Sequence, residues 1–291
     1  MKLSLPFLVL VAVISGFAGG WLASPSGSAP AAAKETAFER VMRTGILRCG
    51  YYVFPPVTKR DEATGEMTGL AVDMMQLIAE KSSLKVEWAE EVTFGNWGAT
   101  LQAGRVDAIC TPMWPDVAMS RVALFTGSLW YAGISPLVKA NDTRFADDLE
   151  RLNREDITFV TQEGNVIDFL TRQAFPKAGI SAIAPSADGA QAVQEILTGK
   201  ADALLTDRNA ETEYNRTSSV PLRLVDRNHP VKYQPFTLVT GTDAPLLRDF
   251  LDSAIDDLIN SGSINRLLDK WDQKPATFMR ISRNAAYPVQ P

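Results

Sequence analysis

Apolar and polar positions along the chain alternate between the three-to-four spacing of amphipathic helices and short, continuous apolar runs that read as buried strands. Residues 36–44 read as a short helix and 46–52 as a strand. The Phe54-Pro55-Pro56 sequence enforces a turn, and the charged stretch 59–66 reads as a surface loop. Residues 70–81 have helical spacing with Asp73 in the first turn, where a carboxylate suits the helix dipole. A strand at 85–89 and a helix at 97–103 follow, and the apolar run 130–139 is long enough to cross between two halves of a molecule. After a charged connector at 141–156 the alternation restarts, with strand 158–161, helices 166–174 and 189–198, and strand 201–206. A second crossing strand at 236–240 leads to two closing helices, 244–261 and 263–271. The first half is therefore interrupted by the second, and two crossing strands form a hinge that allows closure by bending.

One phrase occurs twice. Leu101-Gln-Ala-Gly104-Arg-Val-Asp107-Ala-Ile-Cys-Thr111 is echoed by Ile196-Leu-Thr-Gly199-Lys-Ala-Asp202-Ala-Leu-Leu-Thr206. In both, a helix ends at a glycine suited to the left-handed position after a helix, and an aspartate introduces an apolar strand. Each copy is a helix-to-strand unit of a parallel sheet. Two such units a domain length apart predict two similar α/β lobes with a cleft at the carboxyl ends of their strands, where small molecules commonly bind.

The 291 residues, 46% hydrophobic and 22% charged, fit one large or two modest globular domains. A net charge of −5 and the lack of a basic run argue against a nucleic-acid partner. At the N-terminus, Lys2 precedes an uncharged stretch through Ala23 and then a small-residue segment ending at Ala33, the order of a secretory signal. Cleavage after Ala33 would satisfy the Ala-x-Ala rule through Ala31; an uncleaved anchor is the alternative, and both export the rest of the chain. Cys49 and Cys110 both end predicted strands of the first lobe. In an oxidising compartment the pair invites a disulfide, but neighbouring parallel strands seldom orient two Cβ atoms for one, so two buried free thiols are expected. His229, in a loop beside Pro230, is the single histidine; no metal site and no cofactor are expected.

The ordered motifs Ile46-Leu-Arg-Cys-Gly50, Phe54-Pro-Pro56, Gly69-Leu-Ala-Val-Asp73, Gly104-Arg-Val-Asp107-Ala108, Asp202-Ala203 to Asp207, and Gly262-Ser-Ile264 to Trp271 resemble those of the family 3 extracellular solute-binding proteins. These are periplasmic receptors that deliver polar amino acids to ABC transporters. The resemblance covers residues 38–273. It implies the type II periplasmic-binding-protein fold, with residues 1–33 as signal peptide or anchor, 36–133 plus 241–291 as lobe 1 and 134–240 as lobe 2. It also implies a monomer in the periplasm with a small polar organic ligand and a membrane ABC permease as partners.

A free amino acid must be held by its carboxylate, its ammonium and its side chain. By resemblance, Asp207 occupies the ammonium-binding position and Phe54 the aromatic one. Asp207 reads equally as the N-cap of a helix over 209–215, and the two roles can coexist. Met119 stands where the family has its carboxylate-binding arginine, and Trp114 where a small hydroxyl residue is common. Arg121 follows two residues later, about 200° around a helix, and reads as a surface charge. Without a guanidinium the bidentate carboxylate clamp is lost, which puts an α-amino acid ligand in doubt. The expected ligand site is Tyr52, Phe54, Trp114, Asp116, Met119, Asn165 and Asp207. Aromatic faces combined with carboxylates suit a cation or an amine. Glu163, beside Gly164, reads as a solvated residue before a helix, with a catalytic acid or base as the alternative. A dehydratase-like enzyme and a non-transport periplasmic sensor are the competing functional classes.

Overall fold

The computed structural model describes residues 35–185, 187, 189–272 and 277–281, so the export signal expected over residues 1–33 lies outside the described residues. Thr36 caps the first helix, α1 (Ala37–Thr44), by a reciprocal pairing with Glu39 that satisfies two otherwise orphaned N–H groups. β1 (Ile46–Tyr51), a hairpin of β2 (Lys59–Arg60) and β3 (Met67–Thr68), α2 (Leu70–Ser82) and β4 (Lys85–Glu91) come next. α3 (Trp97–Gln102) leads into β5 (Ala108–Met113), all of whose residues are buried. β6 (Ala123–Phe125) precedes the long β7 (Trp130–Lys139). The second half supplies β8 (Thr158–Gln162), α4 (Val166–Ala174), β9 (Gly179–Ile183), α5 (Gly189–Leu197), β10 (Leu204–Asp207), α6 (Arg208–Thr217) and β11 (Leu222–Leu224). β12 (Lys232–Gly241), α7 (Pro245–Asn260) and α8 (Ser263–Trp271) close the order.

β1 lies between β4 and β5 and is parallel to both. β12 runs antiparallel to β5 through Val239 and Thr240, while its earlier residues 232–236 pair with 130–134 of β7. Further along, β7 pairs antiparallel with β10 and β11. β8 and β9 pair in parallel, and Phe159 bridges to Ala203 just before β10. β7 and β12 therefore belong to both halves. Leu47, Met74, Leu251 and Leu268 belong to one apolar core and Phe145, Phe159, Phe175 and Leu205 to another. The result is two α/β lobes joined by a two-strand hinge.

The repeated phrase is scaffolding. Gly104 and Gly199 adopt left-handed φ values of 65° and 78°, which an L side chain resists. Three residues later, Asp107 accepts the backbone N–H of Arg48 in β1 at 2.7 Å, and Asp202 accepts that of Thr158 in β8 at 2.9 Å. Each aspartate thus ties its unit to the first strand of its own lobe. Each also carries arginine: Arg40 and Arg48 on Asp107, Arg144 on Asp202.

Two expectations need correction. Cys49 and Cys110 are joined by a disulfide, with Cα atoms 5.4 Å apart. Cys49 lies opposite Ala108 in the β1–β5 pair, so Cys110, two residues on and on the same face, is its diagonal neighbour at bridging range. The stretch 59–66 contains one arm of a hairpin, and the second crossing strand starts at Lys232 instead of 236, because backbone pairing with β7 continues into residues whose side chains are exposed.

Candidate ligand-binding site

A cavity of about 560 Å³ opens between the lobes. Beside it the lobes touch: the Asn209 side-chain amide at the start of α6 donates to the Pro55 carbonyl at 2.8 Å, and Gln234 of β12 donates to the Pro115 carbonyl at 3.2 Å. They also approach at Gly95, where an added Cβ would sit 3.7 Å from the Pro185 carbonyl oxygen.

Lobe 1 lines the cavity from the loops after β1 and β5. Tyr52 donates its hydroxyl to the Pro112 carbonyl at 2.7 Å, and its ring lies 6.1 Å from Phe54 and 5.2 Å from Phe94. Burial, and secondarily the nearby Asp207 carboxylate, pushes the Tyr52 phenol well above its ordinary range, so it stays a proton donor. Phe54 stacks on Phe236 of β12 at 6.3 Å. Trp114 meets Phe236 edge-on at 5.8 Å and packs against the cores of both lobes, so it sits where the two halves meet. Its indole N–H is buried with no partner among the described residues. Asp116 accepts the Ala118 N–H at 2.7 Å and so shapes the short turn Met119–Arg121. Met119 lines the cavity, whereas Arg121 is exposed and outside its lining.

Lobe 2 lines the cavity from the β8–α4 turn and from α6. Asn165 caps α4 by accepting the Ile167 N–H at 3.0 Å, and its amide donates to Gln162 at 3.1 Å. Asn209 and Glu213, four residues apart, share the face of α6 that lines the cavity. Glu213 is paired with Arg216 at 3.2 Å.

The structure thus brings Tyr52, Phe54, Trp114, Asp116, Met119 and Asn165 to one cavity. Asp207 is the exception. It is 1% exposed and lies outside the lining. One carboxylate oxygen accepts the Ala210 N–H at 3.0 Å as the cap of α6; the other is buried with no partner among the described residues. Burial pushes its pKa up to about 6, against the opposing pull of two backbone hydrogen bonds. Its carboxylate turns to the helix amides because the residue ends β10 and begins α6 in a single step.

Glu163, expected to be merely solvated, lines the cavity, as do Phe94, Trp97, Phe236 and Glu213, which the sequence did not single out. The four-residue spacing of Asn209 and Glu213 was the available signal for α6; Phe236 is hidden in an apolar strand. Eight lining residues are aromatic and three are carboxylates, Asp116, Glu163 and Glu213; among the described lining residues none is Lys, Arg or His.

Two lobes closing around a cavity at their hinge define a bilobal solute-binding protein. The sequence profile of the bacterial extracellular solute-binding proteins, family 3, matches residues 47–274, and the chain belongs to that family. It is 23% identical over 219 residues to the Bacillus subtilis protein named Probable amino-acid-binding protein YxeM, covering 73% of this chain and 79% of that one. It is 25% identical to the cyclohexadienyl dehydratase of Pseudomonas aeruginosa, covering 70% of each. Among solved structures, the ancestral amino acid-binding protein AncCDT-1, a precursor of cyclohexadienyl dehydratase, superposes with a TM-score of 0.68 at 24% identity, covering 81% of this chain and 99% of that one. An ancestral arginine-binding protein bound to glutamine gives 0.66 at 21% identity, with coverage of 79% and 99%. These likenesses carry the fold.

Proposed function

We propose that this chain is a periplasmic solute-binding protein that captures a small polar organic ligand, amino acid-like or an amine, in its interlobe cleft and presents it to the permease of an ABC importer without transforming it. The observation that carries this reading is the cavity itself, lined from both lobes at a two-strand hinge, in a chain of family 3. A ligand touching both walls favours closure because it binds the closed form better than the open one. In this reading residues 1–33 are the export signal, 36–133 with 241–291 form lobe 1, 134–240 form lobe 2, and the protein acts as a monomer. Tyr52, Phe54, Trp114, Asp116, Met119 and Asn165 contact the ligand, and Asp207 caps α6, from which Asn209 and Glu213 line the cavity.

The likeness to a cyclohexadienyl dehydratase favours a second reading, with Glu163 or Asp116 as a general acid or base. Mass spectrometry of the small molecules released when purified protein is denatured, run beside a turnover assay on cyclohexadienyl acids, separates the two. The binding reading predicts a released molecule and no turnover. Conversion of such an acid, lost in Glu163→Gln, would establish the enzyme instead.

A further inference from the structure

We propose that the ligand of the cleft is an organic cation with an apolar or aromatic body and no carboxylate, held between Asp116 of one lobe and Glu163 of the other. The proposal rests on the solute-binding reading and names the ligand class of that site.

The charge on the cavity walls is one-sided. Asp116, Glu163 and Glu213 contribute carboxylates, and no basic side chain among the described residues lines the cavity to oppose them. Glu213 already has a partner in Arg216. Asp116 spends one oxygen on the Ala118 N–H and has no ion-pair partner among the described residues. Glu163 is exposed at the start of the β8–α4 turn and likewise has none. A ligand carboxylate entering this space would meet like charges and no counter-ion, and desolvation would sharpen both effects.

The N-terminus of α4 lines the cavity, and unpaired helix amides carry partial positive charge that attracts anions. Two of its amides are already bonded. The Ile167 N–H bonds to the Asn165 side chain at 3.0 Å and the Asp168 N–H to the Asn165 carbonyl at 2.9 Å. Glu163 lies two residues before the cap and adds an anion beside that helix end, whereas Asp168 in the first turn is already paired with Arg172 at 3.0 Å. The start of α6 is capped in the same way by Asp207.

The remaining surface suits the body of such a cation. Tyr52, Phe54, Phe94 and Trp114 line it with aromatic rings, and Met119 adds a polarisable thioether. Closure supplies the selectivity. Bringing the lobes together places carboxylates of opposite walls around one cavity, which is unfavourable until a cation enters. A cation therefore discriminates between open and closed forms, as a ligand must to drive closure.

Titration calorimetry with three probes that share a phenyl group tests this: phenethylamine as the cation, L-phenylalanine as the zwitterion and 3-phenylpropionate as the anion. Phenethylamine is expected to bind at least about tenfold more tightly than L-phenylalanine, the scale of one charge-assisted bond, with 3-phenylpropionate weakest. In the double variant Asp116→Asn, Glu163→Gln, both at solvent-accessible positions, phenethylamine binding should fall at least about tenfold and the gap between the three probes should narrow. L-phenylalanine binding as tightly as phenethylamine, or equal losses for all three probes in the variant, would overturn the cation proposal and leave the solute-binding reading standing. A dissociation constant above about 1 mM for both phenethylamine and tetraethylammonium would overturn it as well. The solute-binding reading fails on a different observation, the release of no small molecule from denatured protein.

Discussion

Asp207 shows how one side chain can serve the fold at a measurable cost. It caps α6, yet its second oxygen is buried without a hydrogen bond and its pKa is pushed from 3.8 to about 6. The folded state is therefore the stronger proton acceptor. The stabilising contribution is fully present below the unfolded value of 3.8 and is lost as pH rises to about 6. Asp207→Asn keeps a cap while removing the titration. Relative to wild type, the variant should gain about 2 kcal/mol of stability in chemical denaturation between pH 4 and pH 7.5, and a parallel pH dependence for the two proteins would contradict this. The sequence placed Asp207 at a strand end and offered both roles; it could not show that the side chain is buried and outside the cavity lining, because that depends on where β10 stops and how the lobes pack. Tyr52 and Trp114 were legible as cavity-lining residues because they follow strand ends in loops, and Phe54 and Met119 through the family resemblance. Glu163 is exposed, as read, and also lines the cavity; exposure and cavity lining look alike in a sequence.

At the level of elements, the repeated phrase was the clearest part of the sequence, and its purpose is structural. Replacing Gly104 or Gly199 by Ala places an L side chain at positive φ, and each substitution should lower stability by about 1 kcal/mol without affecting ligand affinity, measured by urea denaturation and calorimetry. Asp107→Ala is a harsher change. It strands Arg40 and Arg48 and leaves the Arg48 N–H without its acceptor, so a loss of about 3 kcal/mol is expected. The disulfide was the element-level misreading, since strand pairing says nothing of diagonal reach until the register is known. It closes a loop with a sequence separation of 61, and the Cys49→Ala, Cys110→Ala pair should lower stability by about 4 kcal/mol in the chain-entropy account. The short strands β6, β9 and β11 were invisible for a related reason. Strands of three to five residues gain their identity from the neighbours they pair with, here β12, β8 and β7.

The whole molecule is two lobes sharing two long strands, so relative motion of the lobes is the simplest response to a ligand. Asn209 and Gln234 bridge to the carbonyls of Pro55 and Pro115, and the chain also approaches itself across the cleft at Gly95 and Pro185. The two-lobed architecture was legible because its cause, a doubled helix-to-strand unit with crossing strands between, is written in apolar periodicity. The ligand was less legible, because it depends on which side chains meet across the cleft. The lobes are expected to close on a molecule they do not change. Small-angle X-ray scattering on protein stripped of its bound small molecule, before and after that molecule is added back, tests it most directly. A smaller radius of gyration is expected on addition, reversed on dialysis, with the molecule recovered intact; an unchanged scattering curve, or a chemically altered molecule in the dialysate, would rule out closure on an unchanged ligand.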